Sequence, residues 1–342
     1  MMSQAHRPAV SRRHWAPVAA LTLALFSVVL VSMLVGSGQL DAAHSLAFLL
    51  SPADNADAYV SMVMTELRLP RTLAGLVIGV ALGVAGSLLQ NVTRNPLAEP
   101  GLLGINAGAA LGVVIGISFF HASSSYSMLI WAISGALVGN GAVMLAAQVG
   151  AASMTPLRLV LAGVAINAAF QGLTSLLLHD HIAAFDQYRY WILGSLSGIT
   201  MEAVSQIAPA VLAALALAAA LTRPLSALTL GDDSAKALGH NPNLIRALLS
   251  LSVTLLSAAA VALAGPIVLL GLIAAYIARA LAGHHLRNQL LYSAAAGAFL
   301  LLSTDILARV VNRPFEAPVS AVVAFIGVPI IIRIVHSNRM FN

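Results

Sequence analysis

Long stretches without a charged residue are the dominant feature of this chain and restrict it to a membrane-spanning fold. Of its 342 residues, 59% are hydrophobic and 8% are charged, whereas a soluble domain has about 25% charged residues. A bilayer core of about 30 Å needs about 20 apolar helical residues for each crossing. The candidate stretches, which contain no Asp, Glu, Lys or Arg, are His14–Leu40, Thr72–Thr93, Pro100–Leu157, Leu159–His179, Ala203–Thr222, Ala247–Ala278, Asn288–Thr304 and Ala317–Ile332.

Two of the eight stretches are too long for a single crossing. Pro100–Leu157 contains 58 residues, and its polar run at 121–125 is the natural place for a break. Ala247–Ala278 contains 32 residues and would be about 48 Å long as one helix. The sequence Ala264-Gly265-Pro266 is expected to divide it. The eight stretches and two divisions therefore predict an all-α polytopic membrane protein with about ten transmembrane helices.

The basic residues predict the orientation of these helices. With a cytoplasmic N-terminus, ten alternating spans place 12 of the 17 basic residues inside, as the positive-inside rule requires. Both termini are then cytoplasmic, with an N-terminal segment at 1–15, a ten-helix domain at 16–336 and a tail at 337–342. The first apolar stretch is too long for a signal peptide and is interpreted as a retained helix. The five basic residues left outside are Arg68, Arg71, Arg189, Arg309 and Arg313.

The chain lacks the sequence motifs of an ATPase or of the common hydrolases. Its single lysine, Lys236, is followed by Ala237, so it cannot form the Lys-Ser/Thr pair of a P-loop. It contains no cysteine and no H-E-x-x-H or G-x-S-x-G motif. The best metal-like cluster, His179-Asp180-His181, is interpreted as a solvated loop at a span end. We therefore predict no catalytic residue, no cofactor and no metal on this chain, and the net charge of +5 indicates topology rather than a nucleic-acid partner.

Glycines recur every four residues in two of the predicted spans. Gly75, Gly79 and Gly83 form one series, and residues 104, 108, 112 and 116 form the other. This spacing places the glycines on one helix face and lets another backbone approach closely. The face is interpreted as ordinary packing within the chain, with a dimer or gating face as the alternative.

Positive charge at the predicted outer end of the second span opposes the general bias and needs a reason. Arg68 and Arg71 lie in the sequence Leu67-Arg-Leu-Pro-Arg-Thr72, where Pro70 favours a helix start. Either these arginines snorkel to the membrane interface, or they bind an acidic partner outside. Near the end of a later span, Asp305 and Arg309 are four residues apart and can pair on one helix face.

A short helix of its own is predicted in the long cytoplasmic loop at about 223–246. Asp232 or Asp233 can cap its N-terminus, and Gly239 can end it. Asn241 then caps the next helix, with Pro242 at its first position. A short capped helix between two spans favours a docking element over a spacer.

The predicted fifth span carries a polar stripe. Asn167, Gln171, Thr174 and Ser175 follow the helical spacing i, i+4, i+7 and i+8. Such a stripe is either a set of interhelical hydrogen bonds or the lining of a hydrophilic pathway. The spacing alone leaves both open.

Several short sequence motifs resemble those of the FecCD family of ABC-importer permeases, which have the type II import fold. The motifs occur in the family's order and extend over about four-fifths of the chain. The most specific of them runs from Arg94 to Gly108. The strings are Leu67-Arg-Leu-Pro-Arg-Thr72, Arg94-Asn-Pro-Leu-Ala-Glu-Pro-Gly-Leu-Leu-Gly-Ile-Asn-Ala-Gly108, Leu161-Ala-Gly-Val-Ala165, Tyr190-Trp-Ile-Leu-Gly-Ser-Leu-Ser-Gly198, Leu238-Gly239, Ala264-Gly-Pro266, Gly271-Leu-Ile273 and Gly327-Val-Pro329.

The resemblance implies a permease subunit in the bacterial cytoplasmic membrane, surrounded by lipid, and a set of partners. Two permease subunits, identical or paralogous, would form the pore. ATP and Mg would be bound by a separate pair of ATP-binding subunits, and an extracytoplasmic solute-binding protein would deliver the ligand. The family's roles carry over as docking to the binding protein by Arg68, Arg71 and Arg309, coupling to the ATPase by Asp233, Ser234, Lys236, Leu238, Gly239 and His240, and a pathway that includes Asn167, Gln171, Thr174 and Ser175.

The string Gly104-Ile-Asn-Ala-Gly108 is more similar to iron(III)-siderophore and iron-citrate members than to the cobalamin member. The resemblance therefore implies import of an iron(III)-siderophore chelate, with haem or cobalamin as alternatives. A stand-alone secondary transporter is the competing class, but ion-coupled transporters usually carry ionisable groups near mid-membrane, and these spans are almost free of charge. One departure stands out: Ala275-Tyr276 replaces a Pro-His pair found in many relatives, which is expected to straighten that helix.

Overall fold

A computed structural model describes residues 15–51, 57–122, 124–149, 156–283, 285–311 and 313–336. The secondary structure assigned within these ranges is helical. The predicted N-terminal segment 1–15, apart from residue 15, and the predicted tail 337–342 lie outside the described residues.

The helices are numbered in chain order. A π-helical turn, Val63–Arg68, joins α3 to α4, and a 3₁₀ turn, Pro100–Leu103, precedes α5. The helices are α1 Trp15–Leu34, α2 Ala42–Leu50, α3 Ala58–Met62, α4 Leu69–Thr93, α5 Ile105–Phe120, α6 Ser125–Gln148, α7 Pro156–Asp180, α8 Ile182–Ile192, α9 Met201–Ala220, α10 Thr222–Thr229, α11 Asp232–Ala237, α12 Pro242–Ala264, α13 Leu270–Ala282, α14 Leu286–Val311 and α15 Val319–His336.

Ten apolar helices account for the ten predicted spans. Six are long and apolar enough to cross a membrane, and four more are apolar but shorter, which makes ten among the described residues. Both predicted breaks are confirmed, because α5 ends at Phe120 before α6 begins at Ser125, and α12 ends at Ala264. The chain is an all-α polytopic membrane protein.

The structure differs from the sequence prediction ahead of the second span. The helix does not start at Pro70 but is continuous from Ala58 to Thr93, through the π-helical turn. Pro70 lies in the first turn of α4, and the extra residue of the π turn lets the chain pass this proline without a break. Apolar periodicity alone does not detect this, because residues 42–68 carry several acids and form the short helices α2 and α3.

The glycine series pack helices of the same chain against each other. A Cβ atom on Gly83 of α4 would lie 2.1 Å from the Ser293 carbonyl oxygen of α14, and one on Gly108 of α5 would lie 2.3 Å from the Gly135 carbonyl oxygen of α6. Any larger side chain would separate the helices. The prediction of packing within the chain is therefore confirmed for both series.

Helix α4 connects the region of the predicted docking residues with the region of the predicted coupling residues. Its 25 residues span about 37 Å at 1.5 Å per residue. Arg71 lies in its first turn, and Arg94 follows its last residue and contacts the end of α10, next to α11. We call these regions the Arg71 end and the α11 end.

Candidate functional site

Three arginines predicted as docking residues come together at the Arg71 end. Arg68, Arg71 and Arg309 all line one cavity of about 510 Å³. All three are buried, with exposed fractions of 4%, 9% and 1%. Buried guanidinium groups need internal partners to offset desolvation, so their contacts decide what they can do.

Arg68 and Arg309 bind the carboxyl end of α1. Arg68 Nη1 donates to the carbonyl oxygens of Met33 (2.8 Å) and Leu34 (2.9 Å). Arg309 Nη1 donates to those of Ser32 (2.9 Å) and Val35 (3.0 Å). The last carbonyls of a helix have no partner within it and carry its partial negative charge. Both arginines therefore stabilise the end of α1.

Arg71 is held between two carboxylates. Its Nη2 donates to Asp305 Oδ1 at 2.7 Å, and its Nη1 donates to Glu316 Oε1 and Oε2 at 2.9 and 2.8 Å. Asp305 is fully buried and also accepts from Arg309 Nη2, which confirms the predicted pairing of these two residues. Arg71, Asp305, Arg309 and Glu316 form what we call the charge cluster, and it ties α4 and α14 to the segment that follows α14.

Glu316 is the outermost member of the charge cluster. Its side chain is 21% exposed and accepts a hydrogen bond from Ser37 Oγ at 2.6 Å. Burial alone would raise the pKa of this carboxyl, but the hydrogen bond from Ser37 and the charge of Arg71 hold the pKa below its ordinary value. Glu316 is therefore ionised at neutral pH and paired with Arg71.

These contacts change what docking by the arginines would require. Nη1 and Nη2 of Arg68 donate to main-chain carbonyls and to the hydroxyl of Ser45, and the guanidinium group of Arg71 donates to carboxylates of the same chain. An acidic partner would reach Arg71 only by competing with Glu316. The predicted docking role stays a prediction, and burial shows that snorkelling does not describe these side chains.

The α11 end carries the predicted short helix. Helix α11, Asp232–Ala237, is followed by Gly239 at φ +80°, the left-handed conformation expected at a helix end. The prediction that Asn241 caps α12 is confirmed, because its side chain accepts from the main-chain N–H groups of residues 243 and 244. Among the predicted coupling residues, Asp233, Ser234, Lys236, Leu238 and Gly239 are exposed and His240 is partly buried.

The predicted capping of α11 by Asp232 or Asp233 is wrong. Gly231 takes the N-cap position without a side-chain cap, since Asp232 instead accepts from Arg246 Nη2 of α12. The hydrogen bond and charge of Arg246 lower the pKa of Asp232. Arg94 similarly donates to the Leu228 carbonyl oxygen at the end of α10.

Sequence reasoning missed both contacts that hold the loop at 223–246, which we call the coupling loop after its predicted role. The topology prediction places Arg94 and Arg246 on the cytoplasmic side, and Arg94 also begins the most specific of the family motifs, but neither feature indicates a contact partner. Arg94 lies 134 residues from its partner, so no local spacing indicates that contact. Asp232 and Arg246 are 14 residues apart and lie on different helices, α11 and α12, so helical spacing does not indicate their pairing either.

Helix α7 carries the predicted pathway residues and is poorly covered by the rest of the chain. Only 17% of an apolar 18-residue stretch of this helix is buried inside the chain, against 78% of the corresponding stretch of the span that contains α4. Gln171 and Ser175 are exposed, and Asn167 is partly buried and donates to the Gly101 carbonyl oxygen at 3.0 Å. Thr174 is buried and donates to the Phe170 carbonyl oxygen of its own helix. Three of the four residues therefore lie on or near the uncovered side, and Thr174 does not.

The helix that carries Ala275-Tyr276 in place of the family's Pro-His pair is unbroken. Helix α13 runs without interruption through Ala275 and Tyr276.

Within the ranges that the structure describes, no three His, Asp or Glu side chains lie close enough together to hold a metal ion.

Comparisons with known proteins agree with this architecture. The family model described as the FecCD transport family matches residues 23–337. The chain is 41% identical to the ferric enterobactin transport system permease protein FepD of Escherichia coli (strain K12), over 93% of this chain and 94% of that protein. It is 38% identical to the Fe(3+)-citrate import system permease protein YfmD of Bacillus subtilis (strain 168), over 94% of each.

A solved structure shares the fold. It is a metal-chelate type ABC transporter in an inward-facing conformation, which matches with a TM-score of 0.81 at 27% identity and covers 94% of this chain and 99% of that one. The family match extends over nearly all of the described helices, from α1 to α15. This chain belongs to the FecCD transport family.

Proposed function

We propose that this chain is the membrane permease subunit of an ATP-driven importer that carries an iron(III)-siderophore chelate across the bacterial cytoplasmic membrane. This proposal rests on the similarity, over nearly the full length of both chains and at 41% identity, to a permease of ferric enterobactin transport. Two other relatives, which the chain matches over most of their length, are permeases for ferric citrate and for ferric hydroxamates. This set favours a ferric chelate over haem or cobalamin as the ligand.

ATP hydrolysis belongs to separate subunits in this proposal. The single lysine cannot form a P-loop, so ATP and Mg would be bound by a partner pair. The exposed surface of α11 and of Leu238, which follows its last residue and is 63% exposed, suits docking of such a subunit. Its tie to α12 through Asp232 and Arg246 would pass a rigid-body movement into the membrane domain.

The uncovered face of α7 suits a second permease subunit, either a copy of this chain or a paralogue. Amide and hydroxyl groups are costly to expose to lipid, and Gln171 and Ser175 are exposed in this chain. A passage between two subunits would give these groups water or partner contacts instead. Gln171→Leu, at an exposed residue of α7, should then alter uptake without altering assembly with the ATPase subunits.

A solute-binding protein would dock at the Arg71 end. The charge cluster makes Glu316→Gln a better probe than reversing the arginines, because Arg68→Glu would place a carboxylate against the carbonyls of α1. Removing the carboxylate of Glu316 frees Arg71 for an incoming acid and should tighten docking, most clearly at low salt. Unchanged or weaker affinity, measured with the purified binding protein and correctly folded permease, would exclude Arg71 as a docking residue.

The importer function is tested by uptake into vesicles. The permease, its ATPase subunits and its binding protein are reconstituted, and uptake of a ferric siderophore, ferric citrate, haem and cobalamin is compared with and without ATP. We expect ATP-dependent uptake of one ferric chelate. Undiminished uptake after the ATPase is omitted would refute the ABC mechanism and support a secondary transporter instead.

A further inference from the structure

Helix α13 is a half-helix that begins in the middle of the bundle. Its 13 residues span about 20 Å, less than the bilayer core of about 30 Å. A Cβ atom on Gly271, in its first turn, would lie 2.6 Å from the Leu82 carbonyl oxygen, halfway along α4. The amino-terminal end of α13, with its partial positive charge, therefore lies at mid-depth.

A carboxylate from a distant part of the chain caps this buried helix end. Glu99 Oε1 accepts a hydrogen bond from the Leu269 main-chain N–H at 2.9 Å. Leu269 is the N-cap residue of α13 and has φ +70°, a left-handed conformation that is unusual for leucine. Since no side chain within α13 provides a cap, Glu99 positions the start of the half-helix.

Glu99 lies in the segment 94–104, which we call the connector, between α4 and α5. The connector also touches the coupling loop, because Arg94 Nη2 donates to the Leu228 carbonyl oxygen at 2.5 Å. It presses against α7 as well: Asn167 donates to the Gly101 carbonyl oxygen, and a Cβ atom on Gly163 would lie 1.8 Å from the Leu102 carbonyl oxygen. One short segment thus contacts the coupling loop, the half-helix and the pathway helix.

We propose that the connector transmits movement of the coupling loop to α13 and α7, with Glu99 as the positioning residue that ties it to α13. The inference rests on the proposed function, because it assumes that an ATPase moves the coupling loop. Two prolines, Pro96 and Pro100, restrict the connector's backbone. A stiff segment fixed at both ends passes on a displacement that a flexible loop would absorb.

The test measures coupling rather than activity alone. Glu99→Leu removes the acceptor for Leu269, and Arg94→Gln removes the contact with Leu228 at the other end. In vesicles with the partner subunits and the binding protein, we expect each variant to keep ATP hydrolysis within about twofold of the unmodified chain. Transport per ATP should fall at least tenfold, and the double variant should fall no further, because both substitutions interrupt one path. Asp186→Leu, at an exposed carboxylate of α8, is the control and should change neither rate.

A second readout follows the half-helix directly. The chain contains no cysteine, so Val268→Cys, at a residue that is 43% exposed, places a single thiol beside Leu269. Its reaction rate with a methanethiosulfonate reagent should depend on nucleotide in the otherwise unmodified chain and lose that dependence with Glu99→Leu or Arg94→Gln.

Three results would overturn the proposal: normal transport per ATP in both variants, a multiplicative loss in the double variant, or a loss explained by less assembled complex. If Glu99→Leu does not assemble, the Arg94→Gln arm decides. Absence of ATP-dependent uptake by the unmodified complex would instead refute the proposed function, so the two failures are distinguishable.

Discussion

Replacing Asp305 by asparagine should destabilise the protein strongly, because the change leaves a buried positive charge without a partner. Asp305 is fully buried and accepts from both Arg71 and Arg309. The charge cluster contains two guanidinium groups and two carboxylates and is neutral, so Asp305→Asn gives it a net charge of +1. Removing one partner of a buried ion pair costs about 3–5 kcal/mol. The new amide NH₂ also points a donor at groups that can only donate.

Thermal unfolding of the detergent-purified permease, followed through its three tryptophans, measures this cost. Asp186→Asn is the matched control, since Asp186 is exposed and lies 3.5 Å from Arg189. Exposed pairs contribute at most about 1 kcal/mol. We expect the unfolding midpoint to fall by several times more for Asp305→Asn than for the control. Equal shifts would refute the assignment of Asp305 as the centre of a buried cluster.

A double-mutant cycle separates charge balance from lost packing. Arg309→Gln alone removes contacts to the end of α1, whereas Asp305→Asn combined with Arg309→Gln restores neutrality. The double variant should therefore cost less than the sum of the single variants, by about 1–3 kcal/mol. Additive costs would show that the two side chains act independently.

Three further predictions concern the packing of α4 against α14, the Arg71 end and the α11 end. Gly83→Ala should lower the unfolding midpoint, because its Cβ would meet a backbone oxygen at 2.1 Å, whereas Gly141→Ala, with nothing within 4 Å, should not. Arg68→Gln should increase hydrogen exchange at the end of α1, because the carbonyl oxygens of Met33 and Leu34 lose their donor. Asp232→Asn should reduce stimulation of the ATPase by loosening α11. Arg246 lowers the pKa of Asp232. The ion pair should therefore persist from neutral pH down to the ordinary carboxyl pKa of about 3.9, and it should be lost as the pH falls through the lowered pKa. Hydrogen-exchange rates of the amides in α11 would report this loss.

The membrane architecture was predictable from the sequence because apolar length and backbone hydrogen bonding leave few alternatives in lipid. Charge-free stretches, one polar run and one helix-breaking sequence predict ten apolar helices, the number found among the residues that the structure describes. The segment 42–68 was not predictable in this way. Its acids interrupt the apolar pattern, and the π-helical turn that joins α3 to α4 has no periodicity of its own.

The candidate sites were predictable only where their contacts are local. The Asp305–Arg309 pair and the Asn241 cap involve residues within four positions of each other, and both are confirmed. The oxygen acceptors of Arg68 and Arg71 and the main-chain donor to Glu99 lie between 23 and 245 residues away. No spacing rule indicates such contacts, because they depend on how the helices pack.

The positive charge at the Arg71 end does not by itself require an acidic partner. Arg68 and Arg309 bind carbonyls at the end of α1, and Arg71 is paired twice. Counting Arg68 with the charge cluster gives three positive and two negative groups, so a single net positive charge remains. Since like charges inside a low-dielectric bundle repel strongly, this near-neutrality is what allows three arginines to be buried together. An acid that docks on Arg71 would therefore have to displace Glu316, so that its binding to Arg71 would be an exchange of one carboxylate for another.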